Sequence, residues 1–511
     1  GLAAYIKKKQ NAHSGVVISY DSRRMSLEFA RCAASVLGGN DIPVYIFDEL
    51  TPTPLCSFAI RELRAAAGIM ITASHNPPEY NGYKVFSADG GQIVPPEDGE
   101  IIDEIRRISS ADLVVSSGYE KLKSGGVITV IGDVIRTAYI SRMKDHMFSG
   151  TGKKEITVTY SALHGTGYRV IPEVLASTGF SSLHLVPEQS TPDGNFPTVQ
   201  YPNPEERNAM SLAIRNAVSN HADIVLATDP DADRIGVGVR SSGGEYVLLN
   251  GNQTAVLLAD YILNRKKSDG TLPQDGYIVK TIITTELLER IAESYDVRCE
   301  SVLTGFKWIA SLMKSNEKEG RGSFLFGCEE SYGYLPVDFI RDKDAVSTAC
   351  FICEMADFYK KSGITLLDRI DALYKKHGMF LEDMHYIVLE GASGAGRIRR
   401  IMNEFRQNPE KEIENLSVSV ICDYSTLEAY DVSSATRKSI DGIPQSNVMQ
   451  YRLKDGSLFS IRPSGTEPKI KFYISCVSEV QDDDLRGTEE RLVIRIARIK
   501  DYINKRIGSI E

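Results

Sequence analysis

The chain has 511 residues, 42% of them hydrophobic and 25% charged, with a formal net charge of −9 at pH 7. That length exceeds one core and points to roughly three to five domains. The acidic balance argues against nucleic acid or an anionic membrane as the main partner, and no apolar run approaches the roughly 20 residues that span a bilayer.

The opening stretch, residues 1–9, reads as part of an amphipathic helix. Its charges follow its apolar residues, unlike a secretion signal, and the lack of an initiating Met suggests a trimmed chain. Strand and helix then alternate: strand over 16–21, helix over 26–37, strand over 44–48, helix over 54–67, strand over 69–74. This is a β-α-β-α-β run of the doubly wound type. The last strand ends in Ser74-His75-Asn76, and Pro77 and Pro78 forbid its continuation. In an open α/β sheet, ligands gather beyond the carboxyl ends of strands. The Ser74 hydroxyl is therefore expected in a crevice, as a nucleophile or a phosphate carrier. His75 beside it is a base or an N–H donor. Arg23 follows the first strand at the same end of the sheet. Lys84, in a strand-like segment after Ser74, could return to the cleft as a general acid/base or phosphate contact. The tyrosines of Tyr80-Asn81-Gly82-Tyr83 are expected to pack.

A second run (strand 156–160, helix 168–177, strands 183–186 and 223–228) leads into Asp229-Pro230-Asp231-Ala232-Asp233-Arg234. Three carboxylates at i, i+2 and i+4 of an extended backbone point the same way and form an oxygen cage for a hard cation. A calcium loop of the EF-hand kind is excluded, because Arg234 stands where its glycine and Arg240 where its last glutamate would be. A third run (strand 277–284, helix 286–295, strands 299–303 and 323–326) carries Thr304-Gly305-Phe306-Lys307 and Gly327-Cys328-Glu329-Glu330-Ser331 after strands. Glu329 and Ser331, on one side of an extended loop, suit vicinal sugar hydroxyls. By spacing alone Lys343 is a solvated surface lysine. Cys350 and Cys353 fall on one buried helical face as reduced core cysteines. The glycine-rich pieces at 150–154, 165–167 and 391–396 complete no nucleotide fingerprint.

Beyond about residue 375 the pattern becomes a smaller α+β domain, with strands over 384–389, 416–421, 448–453, 458–461 and 471–476 and helices over 396–405 and 489–507. The hairpin at 451–460 leads into Arg462-Pro463-Ser464-Gly465-Thr466, where an arginine, two hydroxyls and a glycine make a phosphate cradle.

Four of these segments, Thr72–Pro77, Asp229–Arg234, Gly327–Gly333 and Arg462–Thr466, resemble in order the signature loops of the α-D-phosphohexomutases, most closely the phosphoglucomutase branch. That branch includes phosphopentomutases and sugar-bisphosphate synthases. The resemblance implies three doubly wound mixed or parallel α/β domains (1–150, 151–245, 246–375) around a central cleft and a smaller α+β domain (376–511). It implies interconversion of glucose 1-phosphate and glucose 6-phosphate through a phosphorylated Ser74, with glucose 1,6-bisphosphate as intermediate and activator. Ser74, His75 and Lys84 are then catalytic. One Mg²⁺ is held by Asp229, Asp231, Asp233 and the phosphate on Ser74. Arg23, Arg234, Thr304, Gly305, Lys307, Glu329, Ser331 and Lys343 contact the sugar phosphate, and Arg462, Ser464, Gly465 and Thr466 its phosphate. The partners are small sugar phosphates, and the protein is expected in the cytoplasm as a monomer or weak homo-oligomer. The family usually carries an earlier glycine- and arginine-containing segment, which this sequence does not show. The alternatives are a phosphopentomutase or bisphosphate synthase on the same scaffold, or a catalytically silent phosphorylated scaffold; the intact serine and aspartates speak against the last.

Overall fold

Val16–Tyr20 (β1), Val44–Phe47 (β2) and Ala67–Ile71 (β3) are short and largely apolar, as strands covered on both faces must be. In the computed structural model, which describes residues 1–389, 391–464 and 468–510 (backbone only at Ala392), β2 and β3 flank β1 in parallel. Tyr83–Ser87 (β4) adds antiparallel to β3, and Ile128–Ile131 (β5) parallel to β2. The chain leaves β1 toward β2, then crosses back past β1 to β3. Right-handed crossovers therefore put the helices Ser26–Gly39 and Thr53–Glu62 on opposite faces. The loops after β1 and β3 part at this switch point, where α/β sheets bind ligands.

The plan recurs twice. Thr157–Ser161 (β6) is flanked in parallel by Ser182–Leu185 (β7) and Ile224–Thr228 (β8), and Ile235–Arg240 (β9) and Tyr246–Leu249 (β10) extend the sheet antiparallel. β10 carries this sheet past 245, where a boundary was expected. In the third sheet Tyr277–Thr281 (β11) lies between Arg298–Val302 (β12) and Phe324–Glu329 (β13), with Gly333–Leu335 (β14) antiparallel to β13.

The local differences from expectation have identifiable causes. The helix expected to reach 67 stops at Glu62, because Arg64 turns to φ +52° and releases the chain into β3. The strand expected to reach Ser74 stops at Ile71. β13 runs through Glu329, and a tight turn over Glu330–Tyr332 joins it to β14. Tyr80 and Tyr83, expected to pack, are exposed, whereas Cys350 and Cys353 are buried within the helix Ala345–Lys361.

The chain forms two compact units. The first comprises Gly1–Thr281, Ala292–Glu300 and Gly305–Leu367; the second comprises Ile282–Ile291, Ser301–Thr304 and the chain from Asp368 onward. The second unit holds an all-antiparallel sheet of Met379–Val388 (β15), Glu412–Ile413 (β16), Leu416–Asp423 (β17), Glu428–Asp431 (β18), Thr436–Ser439 (β19), Met449–Leu453 (β20), Leu458–Pro463 (β21) and Lys469–Ser478 (β22). Its spatial order is β15-β22-β21-β20-β17-β18-β19, with β16 on β17. The helices Gly391–Gln407 and Leu485–Gly508 begin earlier than the hydrophobic pattern suggested. Phe405 of the first lies against Phe459 and Phe472, whose rings stack at 6.1 Å. Among the described residues no helix is long and apolar enough to cross a membrane.

Candidate active site

Ser74 sits in the left-handed region at φ +52°, which costs a residue with a Cβ about 1 kcal/mol or more. The loops after β1 and β3 hold it there. The Ser74 amide donates to Thr72 Oγ1 at 2.9 Å, and the Thr72 hydroxyl donates to Asp21 Oδ2 at 2.6 Å. Arg23 does most of the holding. Its guanidinium donates to the carbonyl oxygens of Ser74 (2.6 Å), Pro77 (2.7 Å), Tyr80 (3.0 Å) and Asn76, its Nε lies 3.3 Å from Asp21, and its Cζ lies over the Phe196 ring, 5.0 Å from the centroid. The Arg23 side chain is 0% exposed. The resemblance makes Arg23 a substrate contact; in the structure its two Nη atoms face the carbonyls of the Ser74 loop. Burial pushes the Asp21 carboxyl up to about 6, against the pull of Arg23.

The aspartate loop is a turn and not the extended strand its spacing suggested, because Ala232 turns it at φ +50°. The carboxylates still converge: oxygens of Asp229, Asp231 and Asp233 lie within 4.8 Å of one another, and all three residues are buried. Asp229 Oδ2 accepts from the Ser74 hydroxyl at 2.8 Å, and its Oδ1 accepts from the amides of Asp233 and Arg234, each at 3.1 Å. Asp231 Oδ2 accepts from Lys84 and from Thr53 Oγ1, both at 2.8 Å; Asp233 Oδ2 faces Lys84 at 3.3 Å and Lys343 at 3.1 Å. Oδ1 of Asp231 and Oδ1 of Asp233 are buried and have no hydrogen-bond partner among the described residues. Three buried carboxylates clustered this closely, two of them with an oxygen that accepts no hydrogen bond among the described residues, fit a hard divalent cation. Burial and the two neighbouring carboxylates hold Asp229 well above the usual range; burial would also raise Asp231, but Lys84 and its other donors bring it below.

Lys84 reaches the cage from β4, opposite Met70 of β3. Burial would lower its pKa, but Asp231 and Asp233 raise it, so the ammonium is charged. Lys343 is a correction to the spacing argument. It is buried, bridges Asp233 and Asp342 (3.2 Å), and lies over the Phe306 ring at 5.6 Å. A Cβ at position 333 would come 2.2 Å from Lys343 Cδ, so Gly333 makes the room. His75 Nδ1 is 3.3 Å from Ser74 Oγ; burial, then Arg234, push this imidazole down to about 3, leaving it neutral. The Arg234 side chain pairs with Glu205 at 2.8 Å.

Glu329 Oε1 accepts from the Gly305 amide at 2.8 Å, and Gly305 stands at φ +115°, where a side chain would be strained. Burial pushes Glu329 up to about 7, with Lys343 pulling the other way. Glu329 ends a strand while Ser331 lies in the turn, so they do not share one extended loop. Lys307, in the first turn of the helix Phe306–Glu319, lies over the Trp308 ring at 5.3 Å. In the second unit, the buried Thr304 hydroxyl has no hydrogen-bond partner among the described residues. Arg462 pairs across the β21–β22 ladder with Lys471, and the Ser464 amide donates to the Lys469 carbonyl at 2.8 Å. Gly465 and Thr466 lie outside the described residues. Sequence reasoning gave no role to Asp21, Thr53 or Phe196, and singled out Thr72 only as the first residue of the Thr72–Pro77 segment.

Models of the phosphoglucomutase/phosphomannomutase family match four successive segments: alpha/beta/alpha domain I over residues 1–112, domain II over 137–243, domain III over 250–377 and the C-terminal domain over 425–492. Phosphoglucomutase of Staphylococcus aureus (strain MRSA252) is 37% identical over 486 residues, covering 94% of this chain and 85% of that protein. Two solved structures share the fold. The exocytosis-sensitive phosphoprotein parafusin of Paramecium, in its open form, aligns with a TM-score of 0.69 at 16% identity, covering 97% of this chain and 90% of its own. A phosphoglucomutase/phosphomannomutase family protein from Burkholderia thailandensis aligns with a TM-score of 0.67 at 18% identity, covering 98% and 92%. The chain therefore belongs to the phosphoglucomutase/phosphomannomutase family, the α-D-phosphohexomutases.

Proposed function

We propose that this chain is a cytoplasmic, Mg²⁺-dependent phosphoglucomutase in which Ser74 carries the phosphate exchanged between glucose 1-phosphate and glucose 6-phosphate. The reading rests on one contact above all: the Ser74 hydroxyl donating to Asp229 at 2.8 Å, at the mouth of a buried carboxylate cage. The resemblance to the staphylococcal phosphoglucomutase supports glucose as the sugar.

Asp229, Asp231, Asp233 and a phosphate oxygen on Ser74 would hold Mg²⁺, which when bound neutralises charge on the transferring phosphoryl group. The protein's own groups supply the rest. Lys84 and Lys343 bring two positive charges to an otherwise anionic cage and attract phosphoryl oxygens. In the forward step the free hydroxyl of a sugar monophosphate bonds to phosphorus as the bond from phosphorus to Ser74 Oγ breaks. Lys84, kept protonated by Asp231 and Asp233, gives its proton to Ser74 Oγ and regains one from the attacking hydroxyl. The resulting glucose 1,6-bisphosphate turns over, and its other phosphate returns to Ser74 by the reverse step. Added bisphosphate activates by reloading the serine. Neutral His75 donates an N–H to the phosphate and takes no part in proton transfer at pH 7. Glu329 and Ser331 read the sugar hydroxyls. By the family resemblance, Arg462 and Ser464 are phosphate-binding residues.

The test is a coupled assay with glucose 1-phosphate and catalytic glucose 1,6-bisphosphate. Turnover that EDTA abolishes and Mg²⁺ restores is expected; no formation of glucose 6-phosphate under these conditions overturns the proposal.

A further inference from the structure

Two threonines grip the aspartate loop in the same way, one from each side. Thr166, the residue before the helix Gly167–Ser177, turns both its amide (2.8 Å) and its hydroxyl (2.9 Å) on the Pro230 carbonyl. Thr53, the first residue of the helix Thr53–Glu62, gives its amide to the Asp231 carbonyl at 2.9 Å and its hydroxyl to Asp231 Oδ2 at 2.8 Å. Both threonines are buried. The difference is in what they hold. Thr166 touches backbone only, whereas Thr53 also touches the carboxylate.

A carboxylate has two oxygens, each able to accept about two hydrogen bonds. On Asp231, Oδ2 has both of its positions filled, by Thr53 and by Lys84, and Oδ1 has no partner. Lys84 alone cannot fix this orientation, since its flexible ammonium also reaches Asp233 at 3.3 Å. The Thr53 hydroxyl, tied by its own amide to the Asp231 backbone, can do so. Partners of this kind orient ligands and tune metal affinity.

We infer that Thr53 is the positioning residue that turns Asp231 Oδ1 toward the cation, so that a residue of the first sheet's crossover sets the metal affinity of a loop in the second. The inference rests on the metal reading above.

The test is Mn²⁺ titration by electron paramagnetic resonance on the full chain, comparing wild type, Thr53→Val, which keeps shape and amide but loses the hydroxyl, and Thr53→Ser, which keeps the hydroxyl. The expected result is Mn²⁺ binding weakened about tenfold in Thr53→Val and restored to within about twofold in Thr53→Ser, with the Mg²⁺ concentration for half-maximal activity shifting in parallel. Should Thr53→Val not fold, Thr53→Ala carries the same comparison. Wild-type-like binding by the hydroxyl-free variant overturns the inference and leaves the metal reading standing. So does a serine variant as weak as the valine one. Failure of the wild type to bind Mn²⁺ overturns both.

Discussion

The Arg23 guanidinium donates to the Ser74 carbonyl at 2.6 Å while the Ser74 hydroxyl donates to Asp229 at 2.8 Å. One residue is thus held by its backbone from the first sheet and by its side chain from the second. The two Nη atoms of this buried arginine meet four carbonyls of the Ser74 loop, the arrangement expected of a brace for it.

Arg23→Lys keeps the charge but cannot match a planar fork with a point ammonium. Loosening the loop by an ångström should lower kcat about 100-fold with much less change in KM. Steady-state kinetics decides this, and a rise in KM at unchanged kcat would return Arg23 to the substrate contacts.

Lys343 bridges two buried carboxylates, those of Asp233 and Asp342. Lys343→Ala removes the cation they share, leaving Asp233 with Lys84 and Asp342 with the Gln92 amide, and should cost about 3 kcal/mol of stability. Denaturant unfolding in EDTA measures it; a loss below about 0.5 kcal/mol would contradict the buried bridge.

Glu329 is pushed up to about 7 from 4.5 by burial. The folded chain therefore holds this proton more tightly than the unfolded chain. Its contribution to stability is full below about pH 4.5 and is lost as pH rises through 7. Glu329→Gln should remove that slope, so that the variant gains on the wild type by roughly 1–3 kcal/mol between pH 5 and pH 8. Parallel pH dependences in the two proteins would contradict the assignment.

The parallel core strands and the order of the loops were legible in the sequence because they follow from short-range rules, apolar runs and the prolines that end them; the three aspartates were legible as a cluster, but the turn at Ala232 that brings them together was not. What was not legible depends on chain crossings. Lys343 looks solvated because its neighbours, Arg341, Asp342 and Asp344, are charged; only the fold buries it against Asp233. Thr53 and Asp231 are separated by 178 positions, and nothing near either one announces the other. Arg23 stands at a strand end, where substrate contacts are expected, but the direction of its side chain is set by Asp21 and Phe196.

By the family resemblance, the segment Gly327-Cys328-Glu329-Glu330-Ser331-Tyr332-Gly333 looks like the glucose type and not like the Gly-Glu-Met-Ser-Gly-His loop of mannose-accepting relatives. Glucose and mannose differ at one hydroxyl, and a site hydrogen-bonded to one epimer leaves groups unpaired with the other. Glucose 1-phosphate should exceed mannose 1-phosphate in kcat/KM by about tenfold or more, about 1.4 kcal/mol. Kinetics on both, with ribose 1-phosphate beside them, checks it. A winning mannose 1-phosphate overturns the reading of the turn, and a winning ribose 1-phosphate makes the enzyme a pentomutase.

The central claim is that Ser74 carries the phosphate. Intact-mass and peptide mass spectrometry of the wild type after exposure to glucose 1,6-bisphosphate, with Ser74→Ala treated alongside, tests it most directly. The account predicts a species one phosphate heavier in the wild type, with the phosphate on Ser74, and neither modification nor mutase turnover in the folded variant. A phosphate on another residue, or near-normal turnover by Ser74→Ala, would contradict it.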